Sequence, residues 1–594
     1  MLELNYPTRE AVEAEYDRTV REDIERFRAV AADFMAGKLT ADEFRAERLR
    51  RGVYSQRQEN VHMIRTKVPG GIMTAEQMDC LADVADEFAG GKGHLTTRQN
   101  MQYHFVPLPQ VADLLQKLAS VRLTTREACY NTVRNITASP LAGLLADEVF
   151  DVQPYVRKTA LAFLHNPLTD AMPRKFKIAF FGGGKRDDMA LAIHDLGLTA
   201  VIRTENGEEK RGFRTVLGGG LGPLPNEAVL LDEFLPEDKL IPRTESILRL
   251  FNQYGNRGNK NKARLKFVLR ERGIEWVKQT IEANYADILA NGGTPEPQII
   301  PENFGGYRIV PFALGEGGQL PVLGSTPVDP AFDRWLETNV QEQKQSGYSI
   351  ITIRCPQGNL TSAQMRGIAR IARDAGDSYA RVGIDQNLML AWIPVHNLRR
   401  VYAALRAIGL ADAGAYEITD TVSCPGAYSC NLALTKSMNL AAAISNAVAD
   451  YTDTQVRKMT VKISGCPNSC GQHWIADIGF YGNSRKINGR EVPYYLMLLG
   501  GGHDRENMVR FGLAIQSLPA RLAPVAARRV IDHFLENRQE GELFREYVIR
   551  HKVAFFKELT ADLAKPAEYT DEMYMDWGDE VAFSLQLGRG ECAS

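Results

Sequence analysis

The alternation of apolar and polar residues predicts two β-α-β units far apart in the chain. Apolar residues recur at helical spacing in two segments, at Met78, Leu81, Val84 and Phe88, and at Met365, Ile368, Ile371 and Ala372. A run with β-strand character precedes each helix, at 62–68 and 348–355. Another such run follows each helix, at 102–106 and 388–393.

The two units are copies of one sequence. Pro, Thr, Gln, Met, Gln-Asn and a second Pro recur between 69–107 and 356–394 at a constant offset of 287 residues. Each copy contains a Thr-x-x-Gln capping box, beginning at Thr74 and Thr361. A capping box satisfies exposed backbone N–H groups at a helix N-terminus. We therefore expect each helix to begin directly after its threonine.

A second similarity lies downstream of each unit. Asp195-Leu-Gly-Leu with a later Gly-Gly-Gly matches Asp477-Ile-Gly-Phe with its own Gly-Gly-Gly, at an offset of 282 residues. The chain is thus predicted to be a mixed α/β (α+β) protein of two related halves with pseudo-twofold symmetry. Each half has a small β-α-β module followed by a larger α/β module. Two alternatives remain: a duplication without shared function, or one large ligand bound at the seam.

The same pattern gives approximate domain limits. We assign an N-terminal helical arm to residues 1–55 and the first small module to 56–125. The first larger module follows at 126–325. The second half comprises a small module at 340–410 and a larger module with a C-terminal tail at 411–594.

Composition excludes several classes of protein. The 594 residues carry a net charge of -2, which gives no general attraction for nucleic acid or a membrane surface. No apolar run approaches the roughly 18 residues of a membrane-spanning helix. The N-terminal sequence has neither the basic segment nor the apolar segment of a signal peptide. We therefore expect a soluble cytoplasmic protein, monomeric by default.

Four of the eight cysteines form two tight pairs. Five residues separate Cys424 from Cys430, and three separate Cys466 from Cys470. In the reducing cytoplasm, clustered cysteines favour metal binding over disulfides. Structural zinc sites usually have gaps of about two to four residues, whereas a wider cage suits an iron–sulfur cluster. The spacing favours a cluster and leaves zinc and packed free thiols as alternatives.

The paired cysteines, with Cys-Pro-Asn-Ser-Cys at 466–470, resemble those of the sirohaem-containing sulfite and nitrite reductases. The resemblance covers about residues 50–560 and includes the duplicated architecture with ferredoxin-like small modules. It implies that Cys424, Cys430, Cys466 and Cys470 hold a [4Fe–4S] cluster. It also implies that Cys470 bridges to the sirohaem iron. The larger modules would then be a sirohaem and substrate domain in the first half and a cluster and sirohaem domain in the second.

Three basic motifs resemble the substrate site of that family. The resemblance assigns the anionic substrate to Arg65, Arg134, Lys175 and Lys177. It assigns Arg174 to a sirohaem carboxylate. A period-two strand would place 175 and 177 on one face and 174 on the other. Sulfite enzymes of the family typically have Lys at the position of Lys177 and nitrite enzymes often have Asn. This residue favours sulfite and leaves nitrite open.

Sirohaem is a polycarboxylate, so a basic and polar pocket is expected around it. The resemblance assigns its contacts to Thr96, Arg98, Gln102, Arg174, Lys262, Arg264, Gln386, Asn387 and Cys470. The segment 256–266, which contains two of these residues, has a simpler alternative interpretation as a solvated helix face. A thioether bond between Cys129 and a tyrosine such as Tyr54 is an additional hypothesis, because Cys129 lies five residues before Arg134.

The resemblance implies an assimilatory sulfite reductase that carries out the six-electron reduction of sulfite to sulfide. The chain has no Gly-rich motif for a flavin or nicotinamide nucleotide. A separate protein must therefore supply the electrons, and we prefer a ferredoxin to a flavoprotein. The alternatives are reduction of nitrite to ammonia on the same scaffold, or a non-enzymatic interaction protein stapled by zinc.

Overall fold

The N-terminal arm folds back onto the chain's own first half. The structure is a computed structural model and describes residues 8–309, 313–321 and 329–585. The arm consists of helices α1 (Arg9–Met35) and α2 (Ala41–Arg50). The rings of Phe27 and Phe44 stack at 6.1 Å and join the core of the small modules. The arm is therefore part of the folded body.

The first half of the chain contains a small module and a larger one. The small module consists of β1 (Val53–Ser55), β2 (Val61–Arg65), β3 (Ile72–Thr74), α3 (Ala75–Phe88), β4 (Lys92–Leu95), β5 (Met101–Pro107) and α4 (Val111–Ala119). The larger module consists of β6 (Thr137–Ala138), α5 (Gln153–Ala162), β7 (Ile178–Phe181), β8 (Leu196–Glu205), β9 (Glu208–Leu217), β10 (Val229–Pro236), α6 (Leu240–Tyr254), α7 (Leu265–Arg272) and α8 (Ile274–Ala290).

The second half repeats this order. Its small module consists of α9 (Pro330–Asn339), β11 (Val340–Glu342), β12 (Tyr348–Ile353), β13 (Asn359–Thr361), α10 (Ser362–Ala375), β14 (Tyr379–Val382), β15 (Leu388–Pro394) and α11 (Leu398–Ala407). Its larger module consists of β16 (Val422–Ser423), α12 (Ser437–Ala447), α13 (Thr454–Arg457), β17 (Val461–Ser464), β18 (Ile478–Ile487), β19 (Arg490–Leu499), β20 (Gly502–His503), β21 (Val509–Arg510), β22 (Leu513–Pro519), α14 (Ala523–Asn537), α15 (Phe544–Leu559) and α16 (Ala561–Ala564).

The two small modules exchange one strand each. Their sheets have the orders β1-β2-β5-β4-β13 and β11-β12-β15-β14-β3. Strand β13 of the second half pairs antiparallel with β4, with Asn359 opposite His94. Strand β3 of the first half pairs antiparallel with β14, with Ile72 opposite Arg381. Helices α3 and α10, which follow the exchanged strands, pack together in one shared core. Separating the halves would break both sheets.

The two larger modules contain matching five-stranded sheets. Their orders are β10-β9-β8-β7-β6 and β16-β17-β18-β19-β22. In each sheet three strands run parallel and two antiparallel ones follow. Leu196 lies opposite Leu217, and 282 residues later Ile478 lies opposite Leu499. The predicted mixed α/β fold of two related halves is thereby confirmed.

The predicted helix starts are confirmed as well. Capping boxes form at Thr74 and Thr361, where each threonine side chain accepts a hydrogen bond from the backbone of the following glutamine. Thr40 forms a third box at the start of α2. In the described part of the chain no helix is long and apolar enough to cross a membrane.

The capping box at Thr361 can be tested by mutation. Thr361→Ala removes the oxygen that accepts from the Gln364 N–H at 3.2 Å. We expect it to lower the free energy of unfolding by about 1 kcal/mol, as measured by urea denaturation. Thr361→Ser keeps the oxygen and should therefore lower the free energy of unfolding much less. Equal losses in the two variants would assign the effect to the threonine methyl group and contradict the capping role.

Candidate functional site

One cavity of about 550 Å³ lies between the two halves. That volume falls within the roughly 300–1,000 Å³ usual for small-molecule and cofactor sites. Most of the residues predicted from the sequence line it, namely Arg65, Thr96, Arg98, Gln102, Arg134, Arg174, Lys175, Lys177, Arg264, Gln386, Cys424, Cys430, Cys466 and Cys470. Of the two alternatives left by the repeat, the geometry favours a ligand site at the seam.

Two of the predicted residues do not reach this cavity. Lys262 is exposed, on a short turn that begins with Lys260, and it is Lys260 that lines the cavity. Asn387 is buried elsewhere: its Nδ2 donates to Asp420 at 2.6 Å, and its Oδ1 accepts from the Cys355 N–H at 3.0 Å. In the structure Asn387 therefore links the chain after β12 to the segment around Asp420.

The cavity is strongly basic although the whole chain has a net charge of -2. Among the described residues that line it are nine lysines and arginines and no aspartate or glutamate. Desolvating cations without counter-charges is costly, and their summed field attracts anions. The lining therefore fits a ligand with several negative charges, as a sirohaem would bring.

Arg98 is a buried cation whose hydrogen-bond donors are not all satisfied by the protein. It lies between β4 and β5, and its Nη1 donates to His194 Nε2 at 2.6 Å. Its Nη2 donates to the Ile178 carbonyl at 3.2 Å. Its Nε is buried and has no hydrogen-bond partner in the described structure. Burial, followed by the nearby Arg134, lowers the pKa of Arg98 to about 9. A ligand carboxylate would satisfy the Nε and reverse this shift.

Asp195 lies behind the cavity wall and positions two of its cations. Its carboxylate accepts from the backbone N–H of Lys177 at 2.9 Å and from Arg264 Nη2 at 2.8 Å. Burial, followed by repulsion from Arg264, holds the pKa of Lys177 well below that of an ordinary lysine. Sequence reasoning found Asp195 only as a repeat position and assigned it no role. Its repeat partner Asp477 accepts instead from Thr460.

The regular strand that was expected to separate Arg174 from Lys175 and Lys177 is absent, and the division of roles among the three residues stays a prediction. Strand β7 begins only at Ile178, and the chain bends at Arg174. All three basic side chains consequently line the same cavity. The period-two argument failed because this segment is not a regular strand.

Arg134 is held by three protein acceptors. Its Nε donates to the Tyr130 carbonyl at 2.9 Å and its Nη1 to the Ala128 carbonyl at 3.0 Å. Its Nη2 donates to the Tyr54 hydroxyl at 3.1 Å. These bonds fix the guanidinium against the cavity wall and pre-organise its positive charge.

Arg65 shares this corner of the cavity. Its guanidinium carbon lies 5.5 Å from the centre of the Tyr54 ring. In the amide orientation that satisfies both groups, the Gln102 oxygen accepts from Arg65 at 2.6 and 2.9 Å. Cys129 packs in the same small apolar cluster as Tyr54. The thioether bond between the two remains a prediction.

The two cysteine pairs meet because they follow neighbouring parallel strands. Cys424 comes directly after β16, and Cys466 lies two residues after β17. The carboxyl ends of parallel strands meet at one edge of a sheet. Burial, and then the nearby Cys470, raise the pKa of the Cys424 and Cys466 thiols. Thiolates crowded in this way are stabilised by bound metal, so the donor set fits a metal cluster.

Backbone contacts shape the cysteine loops. The Gly465 N–H donates to Cys424 Sγ at 3.3 Å. A Cβ atom at Gly471 would lie 1.9 Å from the Ile463 carbonyl oxygen, so no larger residue fits there. Cys470 is the most exposed of the four cysteines, and its carbonyl accepts from Thr97 Oγ1 of the first half at 2.9 Å. This bond ties the cysteine loop to the basic half of the cavity.

Gln386 closes the cavity from the second half. Its Oε1 accepts from the Ser423 N–H at 2.9 Å, next to the first cysteine. Its Nε2 donates to the Leu95 carbonyl at 2.8 Å in the first half. Gln386 therefore joins the cysteine loop to β4 and fixes the distance across the seam.

Sequence reasoning missed several lining residues. His94, His104 and His194 line the cavity. Burial lowers the pKa of His94 to about 4 and that of His104 to about 3, so both are neutral at pH 7. Lys266 also lines it, and burial, followed by Arg264, lowers its pKa to about 7. The basic run at 256–266 was the available signal for Lys266. The segment 94–104, which contains Thr96, Arg98 and Gln102, was the signal for His94 and His104, and only His194 had none.

Two family models match the chain. The model described as "Nitrite and sulphite reductase 4Fe-4S domain" matches residues 129–288 and 414–566. The model described as "Nitrite/Sulfite reductase ferredoxin-like half domain" matches residues 54–121 and 341–408. All four paired cysteines lie in the second match of the 4Fe-4S domain. The zinc-stapled alternative is thereby overturned.

Three named proteins are similar to this chain over most of their length. The ferredoxin–nitrite reductase of Synechococcus elongatus is 30% identical over 479 residues, which are 79% of this chain and 86% of that protein. Sulfite reductase [ferredoxin] 1 of Mycolicibacterium paratuberculosis is 28% identical over 494 residues, 82% of each chain. The structure of the Mycobacterium tuberculosis NirA protein is 25% identical with a TM-score of 0.73, and covers 87% of this chain and 92% of its own.

The proposed contribution of Arg98 to sirohaem binding can be tested by mutation, with Lys262 as the control. Arg98→Met removes the buried donor that faces the cavity, and a charge-assisted hydrogen bond contributes about 1.5–3 kcal/mol. We expect sirohaem affinity to fall at least about tenfold, measured as bound sirohaem per chain by visible absorbance. The cofactor-free chain should unfold at an equal or higher temperature, because an unpaired buried cation is gone.

Lys262→Met is the matched control, since Lys262 is exposed and outside the cavity. It should retain sirohaem. A comparable loss of sirohaem in both variants would show that general positive charge, and not the cavity geometry, holds the cofactor.

Proposed function

Because this chain belongs to the nitrite and sulfite reductase family, we propose that it is an assimilatory sulfite reductase that reduces sulfite to sulfide with electrons from a ferredoxin. It is an oxidoreductase whose cofactors are sirohaem and a [4Fe–4S] cluster. The observation that carries the proposal is one cavity lined by nine cations and by four cysteines, which the other half contributes.

The residues divide into those that suit each cofactor. Cys424, Cys430, Cys466 and Cys470 would hold the cluster. Sirohaem carboxylates would pair with the cations on the cavity wall, among them Arg98, Arg174, Arg264 and Lys266, together with Thr96, Gln102 and Gln386. When bound, the two groups store and deliver electrons and provide the iron at which the substrate is reduced. The chain's own residues orient the anion and supply protons.

Four further cations would receive the substrate. Arg65 and Arg134 are fixed by Tyr54 and the surrounding carbonyls, so their donors are pre-organised for oxyanion geometry. Lys175 and Lys177 add two point charges on the same cavity. The lowered pKa of Lys177 makes it a stronger acid than an ordinary lysine. It is therefore suited to donate a proton to a departing oxygen.

Lys177 is also what favours sulfite over nitrite. Sulfite carries up to two negative charges and nitrite one, so a second lysine stabilises sulfite more. The sequence resemblance places Lys at this position in sulfite enzymes and often Asn in nitrite enzymes. Nitrite reduction is the second candidate, supported by the Synechococcus relative.

A ferredoxin is the proposed electron donor. The names of the cyanobacterial and mycobacterial relatives both include ferredoxin. Cys470 is exposed, and its loop is tied to the first half through Thr97. This position supports its proposed role as the bridge between cluster and sirohaem. A cytoplasmic location belongs to the same proposal.

Substrate preference is the direct test of the proposal. With one common ferredoxin donor, we expect kcat/KM for sulfite to exceed that for nitrite. Lys177→Asn should lower kcat/KM for sulfite by about ten- to a hundredfold, since a hydrogen bond to a charged group contributes about 1.5–3 kcal/mol. Nitrite should be affected less.

Lys262→Asn is the control for Lys177→Asn and should leave both substrates unaffected. A wild-type enzyme that strongly prefers nitrite would overturn the sulfite proposal. An equal loss for both anions in Lys177→Asn would remove Lys177 as the discriminating residue.

The bridging role of Cys470 gives a spectroscopic prediction. Cys470→Ser replaces the soft thiolate of the proposed bridge by a hard oxygen. We expect shifted sirohaem absorption bands and loss of the electronic coupling between sirohaem and cluster in electron paramagnetic resonance spectra. Cys80→Ser, far from the cavity lining, should change neither. An unaltered sirohaem spectrum in Cys470→Ser would contradict the bridge.

A further inference from the structure

A second, outer cavity lies against the sirohaem cavity. Its volume is about 1060 Å³, and it lies between the N-terminal arm and the segment 55–62. Phe34, Met35 and Arg45 form part of its wall on the arm. Four residues line both cavities, namely Ser55, Gln56, Lys260 and Asn431. A single layer of side chains thus separates the two spaces.

The arm that covers the outer cavity is held in place by ion pairs. Arg51 pairs with Asp23 of α1 at 2.8 Å, and Arg126 pairs with the same carboxylate at 3.1 Å. Arg28 of α1 pairs with Asp113 of α4 at 2.8 Å. These ion pairs hold α1 against the rest of the first half at the wall of the outer cavity.

Three members of the shared layer are polar and uncharged. Gln56 Oε1 accepts from the Phe105 N–H at 2.7 Å. Asn431 Nδ2 donates to Ser55 Oγ at 3.5 Å. Weak bonds of this length open at little cost. Of the two contacts just described, the one between Ser55 and Asn431 is the weaker, and it is the point at which the layer can part.

The fourth member, Lys260, is the charged one. It is exposed, on the turn between Asn259 and Lys262. Among the described residues no carboxylate forms an ion pair with it, whereas Arg45 at the outer wall is paired with Asp42 at 3.0 Å. Positive potential therefore increases from the mixed outer mouth, past Lys260, to the eight other cations of the inner cavity. Such a gradient draws anions inward.

We propose that the outer cavity is the entry route of the anionic substrate and that Lys260 is the positioning residue that draws the anion across the shared layer. The inference rests on the proposed function, because it requires a small anion that is consumed at the inner cavity. A resident cofactor enters once, but substrate and product must exchange in every turnover. The route under the arm provides that exchange beside the loop of the second half that carries Cys430 and Asn431.

The test is a matched pair of charge reversals, Lys260→Glu and Lys262→Glu. The two lysines lie on one exposed turn, but only Lys260 lines the cavities. For Lys260→Glu at low salt we expect kcat/KM to fall about tenfold for sulfite and less for nitrite, as for loss of electrostatic steering. The defect should shrink as salt rises. The kcat at saturating substrate and the sirohaem content should stay at wild-type values.

Lys262→Glu should leave all of these quantities unchanged. The proposal is overturned if both variants behave alike, if Lys260→Glu leaves kcat/KM unchanged, or if Lys260→Glu loses sirohaem, which would make Lys260 a macrocycle contact. If the wild-type enzyme prefers nitrite, the sulfite proposal fails. A salt-dependent loss with nitrite in Lys260→Glu would still support the entry route.

Discussion

The exchange of β3 and β13 between the two small sheets is the constraint on which the site depends. Each sheet is complete only with a strand from the other half, so the seam cannot open while both sheets persist. Gln99 reinforces it: its amide exchanges two hydrogen bonds with Ala138 and donates to the Val382 carbonyl of the second half at 2.8 Å. Gln386, the repeat equivalent of Gln99, lies in the second half, accepts from the Ser423 N–H there and donates to the Leu95 carbonyl of the first half. The distance between cations and thiols is thereby fixed before any cofactor binds.

The rigid seam carries an electrostatic cost. Several cations are desolvated together in a cavity lining that, among the described residues, contains no carboxylate, and the pKa values of Arg98 and Lys266 are lowered as a result. A strongly bound polycarboxylate would offset that cost and raise the stability of the fold by mass action. Folding and cofactor retention are therefore coupled through the same side chains. Asp195, a buried carboxylate behind the cavity wall, positions Arg264 and Lys177 and does not line the cavity.

The sequence was sufficient for features that are local or repeated. The constant offset revealed the two halves, and the capping boxes located α3 and α10, because both signals lie within a few residues. Strand exchange leaves no such signal, since β13 pairs with a strand more than 250 residues away. Which side chains line the cavity depends on local backbone geometry that a sequence motif does not specify. On the turn that begins at Lys260, a shift of two residues decides which lysine faces the cavity, and a bend at Arg174 defeats strand periodicity.

The pseudo-twofold arrangement explains why two copies of one module contribute different chemistry. In the first half the site uses the amino ends of parallel strands: Arg134 precedes β6 and Lys177 precedes β7. In the second half it uses the carboxyl ends, where Cys424 follows β16 and Cys466 follows β17. Opposite edges of equivalent sheets thus face one cavity. Residues at equivalent positions of the two repeats therefore do not have the same role at the cavity. The first half could specialise in binding anions and the second in binding metal, while the shared core kept its sequence pattern.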